Sequence, residues 1–79
     1  MTNKEKYDNA FIESLSLTSD QLGDALVYNS VSTWDSVAHM ALMAALESQF
    51  DVMLETDDII DFSSYPKGMQ ILAKYGVGF

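Results

Sequence analysis

Cysteine and arginine are both missing from this sequence of 79 residues. Without cysteine, the chain cannot form disulfides, thiolate metal sites or a thiol nucleophile of its own. The longest unbroken apolar run, Met40–Leu46, is much shorter than the roughly 20 residues that a membrane-spanning helix needs. The first residues carry charge, but no apolar segment follows them, so no secretory signal peptide is expected. We therefore expect a cytoplasmic protein that does not bind membranes.

Positive charge is scarce as well. Twelve acidic residues against four lysines give a formal net charge of −8, and no lysine lies between Tyr7 and Pro66. Nucleic acid is therefore not an expected partner, whereas basic protein surfaces are. Hydrophobic residues make up 48% of the chain, which is too many for a disordered acidic tail. With one proline and no internal repeat, residues 1–79 are expected to form one domain and to remain a monomer.

Helical periodicity dominates the first part of the chain. Apolar residues at Tyr7, Ala10, Phe11 and Leu15 predict a helix over residues 4–16. A long polar segment, 17–33, follows, and a capping box of Thr18 with Gln21 predicts one helical turn within it. Its apolar residues are expected to pin this loop to the core: Leu17, Leu22, Leu26, Val27 and Val31.

The second helix is expected to begin at Asp35 or Ser36 and to end at Phe50. A step of about 100° per residue separates its faces. The expected core face holds His39, Leu42, Met43, Leu46 and Phe50, and the opposite face holds Val37, Ala41, Ala44 and Ser48, with Met40 and Glu47 on a flank. The small apolar outer face has two interpretations: helix propensity of the alanines, or a surface on which partners dock.

Two shorter helices are predicted to follow. Thr56 is the expected N-cap of a short third helix, whose first turn holds Asp57 and Asp58. Ser63 or Ser64 is expected to cap the last helix, with Pro66 in its first turn and Gly76 ending it. The apolar positions of that helix are Tyr65, Met69, Leu72 and Tyr75. The predicted fold is all-α: a four-helix bundle with a short third helix and a long loop between helices one and two.

A candidate site lies at Asp35–Ser36–Val37, where the most apolar helix begins. The start of a helix exposes unpaired N–H groups and the positive end of the helix dipole, so it favours anionic groups. A serine at this position can carry a phosphodiester whose charge the helix partly offsets. The tripeptide alone is weak evidence, because serine and aspartate are common N-cap residues.

The segment YNSVSTWDSVAHMALMAALESQFDV makes the case more specific. It holds the motif D-S-[LVM] at Asp35–Val37 and the pattern Leu-Glu-x-x-Phe at 46–50. With the order of helices and the acidic balance, it resembles the acyl carrier proteins, and the resemblance extends from the first helix to about Tyr75. It implies a carrier rather than an enzyme. In that family the motif serine, Ser36 here, receives 4′-phosphopantetheine from coenzyme A through a separate Mg²⁺-dependent transferase.

The resemblance also implies the partners and the surface that meets them. The thiol of the prosthetic group would hold acyl or aminoacyl groups as thioesters, so the sulfur comes with the cofactor. Expected partners are the phosphopantetheinyl transferase and the enzymes that load and accept the acyl group, through basic and apolar docking patches. The residues implied in these contacts are Asp35, Val37, Met40, Ala41, Ala44, Glu47, Asp57, Asp58 and Asp61.

Several positions depart from the carriers of fatty-acid synthesis. Those carriers usually have leucine after the serine, with acids two and five residues beyond the serine. Val37, Ala38 and Ala41 stand at these three places. Trp34 and His39 are similar to residues of carriers in accessory pathways. An accessory biosynthetic pathway is therefore expected.

The same residues also suggest other functions. Asp35, Ser36 and His39 include the residue types of a hydrolytic triad, but Asp35 adjoins the serine and is poorly placed to orient the imidazole. His39 is expected to be a half-buried, hydrogen-bonded side chain. No metal site is expected, since the acids after Phe50 lack a calcium-binding loop. The alternative function is an unmodified acidic regulatory module that binds a basic protein.

The methionines suggest a hypothesis about the cargo. Methionine side chains repack easily and could give the bundle an adaptable interior. An acyl chain would then slide between helices two and three. Ordinary core packing is the alternative explanation for the four residues concerned: Met40, Met43, Met53 and Met69.

Overall fold

The computed structural model describes residues 2–79, which form four α-helices. They are α1 (Asn3–Leu15), α2 (Ser36–Phe50), α3 (Thr56–Asp61) and α4 (Tyr65–Ala73), with a 3₁₀ turn at Ser19–Gln21. Within residues 2–79 there is no β-strand, only an isolated bridge between Val27 and Ser64. None of the helices described is both long enough and apolar enough to cross a membrane. The predicted all-α bundle, with its short third helix and its long α1–α2 loop, is confirmed.

Side chains that cap the backbone set where three of the helices begin. Thr2 and Glu5 form a capping box at α1. Asp35 accepts the backbone N–H of Ala38 at 2.8 Å at the start of α2, and Ser64 accepts that of Lys67 at 3.1 Å at the start of α4. The predicted cap of α3 is wrong. Its N-cap is Glu55, which makes no side-chain capping bond, and Thr56 is already the first helical residue.

An aromatic cluster forms the centre of the bundle. The ring of Phe11 meets Tyr7 at 4.9 Å, Tyr65 at 5.3 Å and Trp34 at 5.5 Å between centroids, all edge to face. Such pairs add to the stabilisation that burial of apolar area provides. The helix faces of α1 and α2 are as predicted. The largest fully buried side chains are Trp34, Tyr7, Phe11, Phe62, Leu15, Leu42, Met43, Leu46 and Leu72.

A glycine in α4 leaves room for two aromatic side chains. Gly68 is buried, and a Cβ at this position would overlap the ring of Phe62 and the hydroxyl of Tyr7. The helix ends at Ala73 rather than at Gly76, which lies in the following turn with φ of +87°. Besides the predicted apolar positions, Ile71 is buried. Gly68 thus leaves the space that the Phe62 ring and the Tyr7 hydroxyl occupy, which a larger residue would fill.

The long loop is fastened to the bundle by side chains and by its backbone. Leu17 and Leu26 are buried as predicted. Val27 is not the anchor that was expected, because its side chain is 42% exposed. The backbone holds this part of the loop instead: the N–H of Tyr65 donates to the carbonyl of Leu26 at 2.9 Å, and the N–H of Tyr28 donates to that of Ser63 at 2.8 Å. The loop is thereby fixed to the start of α4.

The methionine hypothesis fails for half of its residues. Met43 is buried and Met69 is half-buried. Met40 and Met53 are 55% and 82% exposed, because they lie on the outer side of α2 and in the α2–α3 connection. The interior is therefore not the methionine-rich space that the sequence suggested.

Candidate functional site

Ser36 is the first residue of α2 and is exposed. Asp35 precedes it as the N-cap and holds the start of the helix through its bond to the Ala38 N–H. Trp34, the next residue back, is fully buried and anchors the chain where it leaves the loop. The serine hydroxyl is thus presented on a fixed helix end, where backbone N–H groups and the helix dipole favour a negative group.

His39 connects the loop, α2 and α3 through both of its ring nitrogens. The indole Nε1–H of Trp34 lies 3.0 Å from His39 Nδ1, and His39 Nε2 lies 2.8 Å from the carbonyl oxygen of Ile59. An indole N–H can only donate, so Nδ1 accepts and Nε2 carries the proton that it donates to Ile59. His39 is half-buried and both of its ring nitrogens are hydrogen-bonded, as expected. Neither nitrogen remains to take a proton from Ser36, which argues against a hydrolytic triad.

A groove of about 360 Å³ lies beside Ser36, between α2, α3 and the loop. Of the residues described, no Asp, Glu, Lys or Arg lines it. Ser36 and Ser63 contribute to the lining with six larger residues: Tyr28, His39, Met40, Ile59, Ile60 and Phe62. Sequence reasoning missed four of these six residues: Tyr28, Ile59, Ile60 and Phe62. Of the two adjacent isoleucines of α3, Ile59 is half-buried and Ile60 is 73% exposed.

The surface around Ser36 is apolar. Val37 is 79% exposed, Met40 55% and Ile60 73%. Ala41 and Ala44 are exposed on the same helix, as the predicted outer face requires. Large apolar side chains grouped on the surface of a small domain are typical of contact sites. The structure therefore brings together Ser36 and the apolar residues implied by the resemblance.

Glu47 does not belong to this surface in the way the resemblance implied. The carboxylate of Glu47 is half-buried and accepts the backbone N–H of Leu54 at 2.8 Å. It therefore closes the connection between α2 and α3. This structural bond uses one of its oxygens, so Glu47 is only partly available to a basic partner.

Asp58 is likewise an internal residue, contrary to the expectation that it contacts partners. It is 8% exposed, and its carboxylate accepts hydrogen bonds from Lys74 Nζ and from the hydroxyl of Tyr75. The bond from Lys74, and after it the bond from Tyr75, holds the pKa of Asp58 below its ordinary value. The side chain ties α3 to the end of α4. Among the acids near α3, Asp57 and Asp61 are exposed.

This tie predicts a pH-dependent effect of Asp58→Asn. Because the folded-state pKa of Asp58 is lowered, its contribution to stability is present above the ordinary carboxyl pKa, about 3.9, and is lost as the pH falls through the lower folded-state value. We expect the variant to melt below the wild type at pH 7 and the difference to shrink as the pH falls below the ordinary carboxyl pKa. Thermal melts followed by circular dichroism across this range test it, with exposed Asp57→Asn as the control. A difference that persists at the lowest pH would contradict the ion-pair explanation.

Comparison of the chain with known protein families, with curated proteins and with solved structures gives no match. Within residues 2–79, no group of three or more His, Asp or Glu side chains is placed to hold a metal ion.

Proposed function

We propose that the protein is an acyl or aminoacyl carrier of the acyl carrier protein type, in which Ser36 bears 4′-phosphopantetheine. The observation that supports it most is the exposed position of Ser36 at the first residue of α2, next to an apolar groove. The order of the helices, with a short α3, is the order that the resemblance implies. The protein would hold its cargo for partner enzymes and would not catalyse a reaction itself.

The residues around Ser36 fit such a prosthetic group. A phosphodiester on the Ser36 oxygen would lie at the positive end of α2, where its charge is partly offset. When bound, the group supplies a terminal thiol that holds acyl groups as thioesters. Asp35 keeps the helix start in place through its bond to Ala38, and the Trp34–His39 pair fixes the loop behind it. Among residues 2–79, no Asp or Glu lines the neighbouring groove.

The partner enzymes would dock on the apolar surface beside Ser36. Val37, Met40, Ala41 and Ala44 supply its outer face. Negative charge is sparse here, because Asp58 is buried and the Glu47 carboxylate accepts the Leu54 N–H. Asp57 and Asp61 are the acids of α3 that a basic patch would meet. We propose partners with small basic patches and more apolar contact, in an accessory pathway of the cytoplasm. Such a carrier acts as a monomer and needs neither nucleic acid nor membrane.

Intact mass after incubation with coenzyme A, Mg²⁺ and a broad-specificity phosphopantetheinyl transferase tests the proposal. We expect a gain of one phosphopantetheinyl group, located by fragmentation to the peptide that contains Ser36. No gain with several transferases would contradict the carrier function. That result would favour the unmodified acidic module that binds a basic protein.

The pathway assignment predicts an effect of restoring an acid on α2. Ala38 packs against the core, so the exposed Ala41 is the suitable position. Charge complementarity mainly sets the rate of encounter between such partners. We expect Ala41→Glu to load malonyl groups several-fold faster than Ala41→Gln with a fatty-acid-pathway malonyl transferase. The difference should shrink as salt is added. Equal rates for the two variants would contradict this explanation.

A further inference from the structure

We infer that His39 fastens α3 over α2, so that a group carried on Ser36 lies in the outer groove and does not enter the core. The groove then restricts sheltered cargo to short, uncharged acyl groups. This inference rests on the proposed carrier function and adds to it the class of cargo and the place where it lies. His39 acts here as a positioning residue.

The fastening consists of the two hydrogen bonds of His39. Nε2 donates to the carbonyl of Ile59 in α3, while Nδ1 accepts from Trp34 behind it. An acyl chain that passed between α2 and α3 would have to separate His39 from Ile59. Both polar groups would then face apolar surroundings without a partner, which is costly.

A second contact holds α3 from its other side. Asp58 of α3 accepts hydrogen bonds from Lys74 and Tyr75, and the Tyr75 hydroxyl also accepts the backbone N–H of Glu55 at 3.0 Å. Helix α3 is therefore tied both to α2 and to the end of α4. Moving it away from the bundle would break hydrogen bonds at both places.

Aromatic rings close the inner side of the groove. The imidazole of His39 lies 5.6 Å from the ring of Tyr28 and 6.0 Å from that of Phe62, centroid to centroid. Phe62 is 1% exposed and belongs to the core that also contains Leu42 and Met43. Cargo in the groove would rest on these rings rather than among the core side chains.

The groove's size and lining define the cargo. Its volume, about 360 Å³, is at the lower end of the range of about 300–1,000 Å³ in which small-molecule sites fall. Part of that volume would hold the end of the prosthetic arm, so the remaining space fits only a short acyl group. Met40 and Ile60 are exposed, and contact with the acyl group would remove part of their apolar surface from water. No charged side chain in the lining can pair with a charged cargo, which would therefore stay in water.

A series of acyl arms tests the inference on the full chain. Acetyl-, butyryl- and octanoyl-phosphopantetheine are transferred to Ser36 from the corresponding coenzyme A thioesters, and intact mass confirms each product. Absence of any mass gain would reject the carrier function itself. With modified protein in hand, we expect the methyl resonances of Met40 and Ile60 to shift with butyryl. Those of Leu42, Met43 and Leu46 should not move with any arm, and octanoyl-induced shifts at these core methyls would overturn the inference.

Two variants test the role of His39. His39→Leu removes both hydrogen bonds, whereas His39→Gln retains an amide N–H that can donate to the Ile59 carbonyl. With the octanoyl arm, we expect core methyl shifts at Met43 and Leu46 in the leucine variant and not in the glutamine variant. A folded His39→Leu protein with unshifted core methyls would overturn the inference. If that variant does not fold, the acyl series on the wild type decides the question.

Discussion

Ser36→Ala is expected to abolish the gain of a phosphopantetheinyl group completely while leaving the fold intact. In the proposed carrier the hydroxyl is the point of attachment, so no mass gain remains without it. The fold should tolerate the change because Ser36 is exposed and the capping bond of α2 comes from Asp35 to Ala38. Alanine is also the best helix former. Intact mass measures the loss, and circular dichroism with a thermal melt verifies that helix content and melting temperature stay within the error of the wild type.

Ser63→Ala is the matched control for this variant. Ser63 lines the same groove, and it is exposed like Ser36, but it does not lie at the start of α2. Its backbone carbonyl, which accepts the N–H of Tyr28, is unaffected by the substitution. We expect the full mass gain in this variant. A gain that persists in Ser36→Ala, or one that disappears in Ser63→Ala, would show that the wrong serine has been assigned.

The position of Ser36 at the start of α2 could be predicted because local rules determine it. A polar pair before an apolar periodic segment marks a helix start, and the α2 periodicity fixes which residues face the core. The helix begins at Ser36, one of the two residues expected, Leu42, Met43 and Leu46 are buried, and Ala41 is exposed. All of these depend on residues that are neighbours along one helix. Local rules were weaker at α3. Thr56 was the predicted N-cap, but the N-cap is Glu55, and no side-chain hydrogen bond fixes the start of this helix.

The roles of individual charges could not be predicted, because they depend on contacts between distant parts of the chain. Asp58 and Asp57 are adjacent and chemically alike in the sequence. The fold brings Lys74 and Tyr75, which follow α4, into hydrogen-bonding distance of Asp58, while Asp57 stays exposed. The carboxylate of Glu47 likewise accepts a hydrogen bond from the backbone N–H of Leu54. A sequence gives the number of acids but not which of them make hydrogen bonds within the fold. Only the structure shows which acids stay free for a partner.

Trp34→Ala is expected to destabilise the protein most among simple core substitutions. Trp34 is fully buried, its ring meets Phe11 at 5.5 Å and Tyr28 at 6.0 Å, and its N–H bonds to His39. Replacing a buried aromatic by alanine costs about 3–5 kcal/mol. At about 0.05–0.15 kcal/mol per residue, a domain of this size has a total stability of about 4–12 kcal/mol. We therefore expect a large fall in the urea midpoint, which must be followed by circular dichroism, since Trp34 is the single tryptophan.

Trp34→Phe separates the packing from the hydrogen bond. Phenylalanine fills most of the indole volume but leaves the Nδ1 of His39 without its donor, which costs about 1–3 kcal/mol. The expected order of urea midpoints is wild type, then phenylalanine, then alanine. Because Trp34 adjoins Asp35 and Ser36, the alanine variant should also be modified more slowly by the transferase, although Ser36 is intact. An alanine variant as stable as the phenylalanine variant would show that Trp34 contributes only its hydrogen bond, and the packing argument would fail.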